Sequence, residues 1–186
     1  MKFPGLVLLL GVLWLALASP ATAEPVATRY GLGLSGAIAY DPGGARDFLQ
    51  LTGFALFDYE TVWRHPAPEP LRFKVEGNAG VTTGPHRTMV SVNVLAHYRL
   101  VGWANQTLLP YAEAGIGVVY SDYRVKGQGL RFNFNPQAGI GLQGRSGVWR
   151  DWFVALRLHH VSNGDLHDAN RGINSALLQV GRLFDW

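Results

Sequence analysis

Residues 157–164 read Arg157-Leu158-His159-His160-Val161-Ser162-Asn163-Gly164. In an extended strand, side chains two positions apart share a face, so His160 and Ser162 project together. An imidazole beside a hydroxyl is a minimal pair for nucleophilic catalysis: the ring takes the hydroxyl proton and the oxygen attacks a carbonyl. Cleaving an ester this way needs no metal and no cofactor. His159, His160 and His167 suggest a metal site, but no facing cluster of acids accompanies them. His159 falls on the opposite face and reads as a structural polar residue.

The face that carries His160 and Ser162 also carries Trp152, Val154, Leu156 and Leu158. The same period of two recurs in eight segments, with apolar residues on one parity over Leu32–Tyr40, Leu49–Tyr59, Leu71–Val81, Val90–Tyr98, Ala112–Tyr120, Phe132–Leu142, Trp152–Leu158 and Ala176–Trp186. Turn-rich pieces separate them, among them Asp41-Pro42-Gly43-Gly44, Thr82–His86, Lys126–Gly129 and Asn163–Gly172. No long helix fits after the first two dozen residues. Such a pattern predicts an all-β, eight-stranded antiparallel up-and-down barrel.

Lys2, the apolar run Phe3–Ala18 and the ending Ala21-Thr22-Ala23 predict a secretory signal peptide over 1–23, leaving 24–186 as the barrel. No later segment reaches the ~20 apolar residues of a spanning helix, so a membrane form must be a closed barrel. Composition agrees: 16% charged residues, against roughly 25% in soluble domains, with 23 Gly, 12% aromatics and no Cys. With 16 basic and 13 acidic residues spread along the chain, there is no nucleic-acid footprint.

A soluble, lipocalin-like barrel turns its apolar face inward; an outer-membrane barrel turns it outward. The second face decides between them. It carries Arg72, Lys74, Glu76, Arg99, Glu113, Arg131 and Arg157 among Asn, Gln and Gly, which suits a filled lumen with paired charges. Aromatic residues near the strand ends and the terminal Trp186 suit a membrane interface. The outer-membrane barrel is therefore the expectation.

Depth comes from the topology. With the N-terminus in the periplasm, the seventh strand runs outward. His160 stands eight residues beyond Trp152, about 26 Å along the strand and about 20 Å along the normal of a ~25 Å apolar band. That puts the His-Ser pair at the outer headgroup boundary, which in Gram-negative bacteria holds the ester-linked acyl chains of lipid A. A hydrolase acting on such an ester is the reading these residues support.

The element His160-Val161-Ser162-Asn163-Gly164, with Asn170-x-Gly172-x-Asn174-Ser175 and a last apolar strand after it, closely resembles the PagL-type lipid A 3-O-deacylase family, also called acyloxyacyl hydrolase-like. Pro110–Gly117, Phe134 and Gly139-Ile140-Gly141 resemble it too. The resemblance implies an eight-stranded outer-membrane barrel that releases the acyl chain ester-linked at position 3 of lipid A. It implies Ser162 as nucleophile and His160 as its base. Backbone N–H groups at Gly164 and Asp165 would hold the oxyanion, with the Asn170 side chain beside them, and Asn163 would shape the turn or donate its amide. The partners it implies are lipid A of the lipopolysaccharide and the outer membrane; a homodimer is left open.

One position departs from the family, whose type member has Glu where this chain has Asn174. An amide oxygen can accept from the ring but brings no charge, and in serine proteases the equivalent change costs ~10⁴-fold. Asp165 or Asp168 in the adjoining loop could substitute, whereas Asp151 is about 30 Å away along the strand. The alternatives are a catalytically weak or inactive barrel with a structural or adhesive role, and a soluble barrel that binds an apolar ligand.

Overall fold

The computed structural model describes residues 26–84 and 86–185; the leader expected over 1–23, its cut after Ala23 and the terminal Trp186 lie outside the described residues. Alternating sequence becomes strand: β1 (Arg29–Asp41), β2 (Phe48–Asp58), β3 (Leu71–Thr82), β4 (Thr88–Arg99), β5 (Leu108–Ser121), β6 (Phe132–Phe134), β7 (Gln137–Gly144), β8 (Trp152–Val161) and β9 (Ile173–Phe184). All pair antiparallel in the order β4-β3-β2-β1-β9-β8-β7-β5-β6, and pairing of β4 with β5 closes the sheet. β6 and β7 lie end to end on β5, at Val118–Tyr120 and Leu108–Gly115, so they form one stave broken at Asn135-Pro136. The result is a closed eight-stranded antiparallel barrel.

Two expectations about element ends change. Tyr59 does not extend the second strand; it opens a single-turn helix, α1 (Tyr59–Trp63). Its alternation with Phe57 is shared by a helix start and a strand end, so parity could not separate them. The sixth strand is not continuous, because Pro136 has no N–H to give a ladder.

The two faces have the polarity expected of a membrane barrel. Leu32, Leu51, Val92, Ile116, Ile140, Leu156 and Leu178 are exposed on the outer wall. Arg72, Lys74, Glu76, Asn93, Glu113, Arg157 and Gln179 are buried in the lumen. There the charges meet. Arg157 reaches Glu76 at 2.9 Å and Glu113 at 2.6 Å, and Lys74 lies 3.1 Å from Glu113 and 3.4 Å from Glu76. Glycine makes this crowding possible: a Cβ on Gly139, opposite Arg157 in register, would stand 2.8 Å from the Arg157 side chain.

Candidate active site

The outer end of β8 places the two residues of interest. Leu156 and Leu158, 54% and 59% exposed, mark the outer wall, and His160 and Ser162 continue the same parity. Both are half-buried rather than free in solvent. His159 is buried on the lumen side against Phe48, as its parity requires. Two strand residues span about 6.6 Å, a gap that an imidazole and a serine hydroxyl can bridge. Among the described residues no hydrogen bond joins Ser162 Oγ to the His160 ring.

The strand backbone around the pair is pinned on both sides. Toward the broken stave, Ser162 donates its N–H to Phe134 O at 3.1 Å and accepts from Phe134 N at 2.7 Å, while His160 N donates to Pro136 O at 3.0 Å. Toward the last strand, His160 stands directly opposite Asn174, and its Nδ1 lies 2.6 Å from Asn174 Oδ1. Gly172, in the Asn-x-Gly element, lets the ring in: a Cβ there would lie 2.6 Å from His160 Cε1 and 3.1 Å from Nε2.

Beyond Ser162 the chain turns sharply. Gly164 and Asp165 both have positive φ, at 62° and 63°. Asn163 is fully buried, and its Nδ2 donates to the carbonyls of Ala169 at 3.0 Å and His167 at 3.3 Å. It therefore shapes the turn, and its amide hydrogens are committed to the loop. Asn170 is held equally firmly: its Oδ1 accepts from Asn163 N at 2.8 Å, and its Nδ2 donates to Asp165 Oδ1 at 2.7 Å. The β5–β6 connection clasps this loop, with Gly129 N on Ala169 O at 2.7 Å and Arg171 N on Gly127 O at 2.9 Å.

Neither loop acid meets the imidazole. Asp165 is engaged with Asn170, and no hydrogen bond or ion pair joins Asp168 to His160 among the described residues. The acid near this group is Asp41, at the outer end of β1. Its Oδ2 accepts from Asn174 Nδ2 at 2.9 Å, and its Oδ1 lies 2.8 Å from Arg171 Nη2. Sequence reasoning misses it because Asp41 reads as the start of the turn Asp41-Pro42-Gly43-Gly44, and the parity of Ser35 and Ala37, if continued, would aim it into the lumen. A β-bulge intervenes: Ala39 pairs with Ser175, yet Asp41 pairs with Asn174, so two β1 residues oppose one of β9. Bulges re-aim side chains in this way. One signal was available, since closing a barrel lays the outer end of the first strand against the start of the last. Among the described residues no group of three or more His, Asp or Glu side chains is placed to hold a metal ion.

An eight-stranded barrel with an apolar outer wall and a charged, side-chain-filled lumen defines the outer-membrane barrel class. Solved structures similar to this chain carry the same architecture. One is the outer membrane enzyme PagL, with 24% identity over 82% of this chain and 98% of that one and a TM-score of 0.64. Another is Neisserial surface protein A, with 12% identity over 88% of this chain and 100% of that one and a TM-score of 0.63. No curated protein matches the chain. The family model of PagL, lipid A 3-O-deacylase, matches residues 50–182, and the chain belongs to that family.

Proposed function

We propose that this protein is an outer-membrane esterase that hydrolyses the 3-O-linked acyl chain of lipid A, with Ser162 as nucleophile and His160 as general base. The observation that carries the reading is the His160–Asn174 contact of 2.6 Å on the apolar outer wall, two residues from Ser162, in a member of the lipid A 3-O-deacylase family. A neutral imidazole that donates from Nδ1 keeps the Nε2 lone pair free to accept a proton.

In the proposed reaction, Ser162 Oγ attacks the ester carbonyl carbon as His160 Nε2 takes the hydroxyl proton. The tetrahedral oxyanion forms near the turn, where the N–H groups of Gly164 and Asp165 supply donors. Asn170 contributes by fixing that turn. Collapse breaks the bond to the sugar oxygen, which leaves with the proton from His160. Water, deprotonated by the same ring, then attacks the acyl-serine carbonyl; the bond to Ser162 Oγ breaks, Oγ takes the proton back from His160, and the fatty acid is freed. Asn174 holds the ring in the useful tautomer, as a triad acid does, without a charge of its own. Hydrogen bonds between nucleophile and base commonly tighten only with substrate bound, so the Ser162–His160 bond belongs to the lipid complex. The outer-wall location supports a substrate that stays in the membrane: the acyl chain can lie along Leu158 and Leu156 while its ester meets Ser162. Residues 1–23 act in this reading as the leader that sends the chain to the outer membrane.

The test is to express the chain in a Gram-negative outer membrane and weigh the lipid A. Loss of one 3-hydroxyacyl chain is expected, and Ser162→Ala and His160→Ala should each reduce the release by at least about 10³-fold. Unaltered lipid A beneath a correctly inserted barrel would leave a structural or adhesive role as the better account.

A further inference from the structure

His160, Asn174 and Asp41 stand side by side on three neighbouring strands, β8, β9 and β1, in direct register. The chain of contacts runs from ring to amide to carboxylate, 2.6 Å and then 2.9 Å. The second carboxylate oxygen is held by Arg171 at 2.8 Å. We propose that Asp41 is a positioning residue for the deacylation: it locks the Asn174 amide so that its oxygen faces His160.

Donors and acceptors fix the orientation of each group. A carboxylate only accepts, so the Asn174 atom facing Asp41 must be its NH₂ group. The Asn174 oxygen then faces His160 Nδ1, which must carry a hydrogen to bond with it. In a neutral imidazole this leaves Nε2 as the acceptor, the form a general base requires. Without Asp41 the amide is free to turn over. Its NH₂ would then face Nδ1, stabilise the opposite tautomer and put the hydrogen on Nε2. An amide in a triad's acid position thus becomes workable because an acid stands behind it. Asp41 lies outside residues 50–182, the segment that the family model matches, and is brought in only by the bulge in β1. The inference rests on the Ser162–His160 reading of the site, and its test has an arm that does not depend on turnover.

The experiment uses the full chain, purified in detergent micelles with lipid A as substrate, and the variants Asp41→Asn (D41N), N174D and the exchange D41N/N174D. Heat-modifiable gel mobility confirms that each barrel is folded. Expected for D41N is a fall in kcat on the order of 10- to 100-fold, the range seen when outer partners of metal-ligating histidines are removed, with KM little changed. The exchange returns a carboxylate–amide pair in reversed order, and kcat should recover most of the loss. N174D alone sets two carboxylates against each other and should perform worse than the exchange. Independently, the ¹⁵N resonances of the His160 ring, assigned by difference against His160→Ala, should show Nδ1 protonated and Nε2 bare in the parent and a tautomer mixture in D41N. An unchanged tautomer and kcat in D41N would overturn the proposal. So would an exchange no more active than D41N, which would make Asp41 a local prop. If the parent has no deacylase activity, the functional reading fails, while the ring resonances still decide whether Asp41 sets the tautomer.

Discussion

Gly172 shows how much of this site depends on one missing side chain. A methyl group there would press on the His160 ring at 2.6 Å, closer than Cβ atoms come to anything in folded proteins, and the rigid imidazole would have to swing away from Asn174. Gly172→Ala is therefore expected to lower deacylation by about 100-fold or more, as misplacing a reacting group by about an ångström does. Barrel stability in urea should stay near the parent's, because the residue sits at the rim. A variant with full activity would mean that the ring position seen here is not the working one. Each position of the motif Asn170-x-Gly172-x-Asn174 has its own task. Asn170 fixes the turn, Gly172 admits the ring, and Asn174 engages it.

At the scale of elements, the loop after β8 is organised by Asn163. This side chain is fully buried, and its Nδ2 bonds two loop carbonyls. Asn163→Ala would take the side-chain donor from His167 O and leave Ala169 O with the Gly129 N–H alone, at a cost of about 1–3 kcal/mol. That cost falls on the loop, since loops open locally without unfolding the sheet. Limited proteolysis between residues 163 and 172 should speed up and release of the fatty acid from lipid A should fall, while the melting of the barrel is unchanged. Loss of barrel stability instead would show that the loop and sheet unfold together. The broken stave belongs to the same scale. Pro136 interrupts it, yet its carbonyl receives the His160 N–H at 3.0 Å, and Phe134 anchors both backbone groups of Ser162. Alternation continues from Phe132 to Leu142 across Pro136, so the proline was the sign of the interruption that the apolar pattern masked.

For the whole molecule, the buried charges of the lumen network depend on one another. Arg157, 1% exposed, bonds both Glu76 and Glu113, which are equally buried. Arg157→Ala would leave two buried carboxylates with Lys74 and the His97 ring beside them, and destabilisation of about 3–5 kcal/mol is expected. Unfolding in urea within detergent micelles measures it. A quadruple change of Lys74, Glu76, Glu113 and Arg157 to uncharged residues of similar size should cost much less than the single one, because no charge of the network is then stranded. If the single variant is as stable as the parent, the network is not what holds the staves. His160 stands only three residues along the same strand but on the opposite face of the wall, so residual activity at permissive temperature is expected to survive Arg157→Ala.

The sequence alone determined the barrel, its inverted polarity and the shared face of His160 and Ser162, because a strand's period of two is written residue by residue and each side chain's face comes from counting. It also brought Asn174 to the site, through the family resemblance of its motif. Counting could not reach Asp41, 133 residues away from the amide it holds. A bulge adds one residue to a strand and turns the parity of every residue beyond it, and nothing in a local pattern announces it. Only closure of the barrel, which sets the first strand against the last, decided which carboxylate stands behind Asn174.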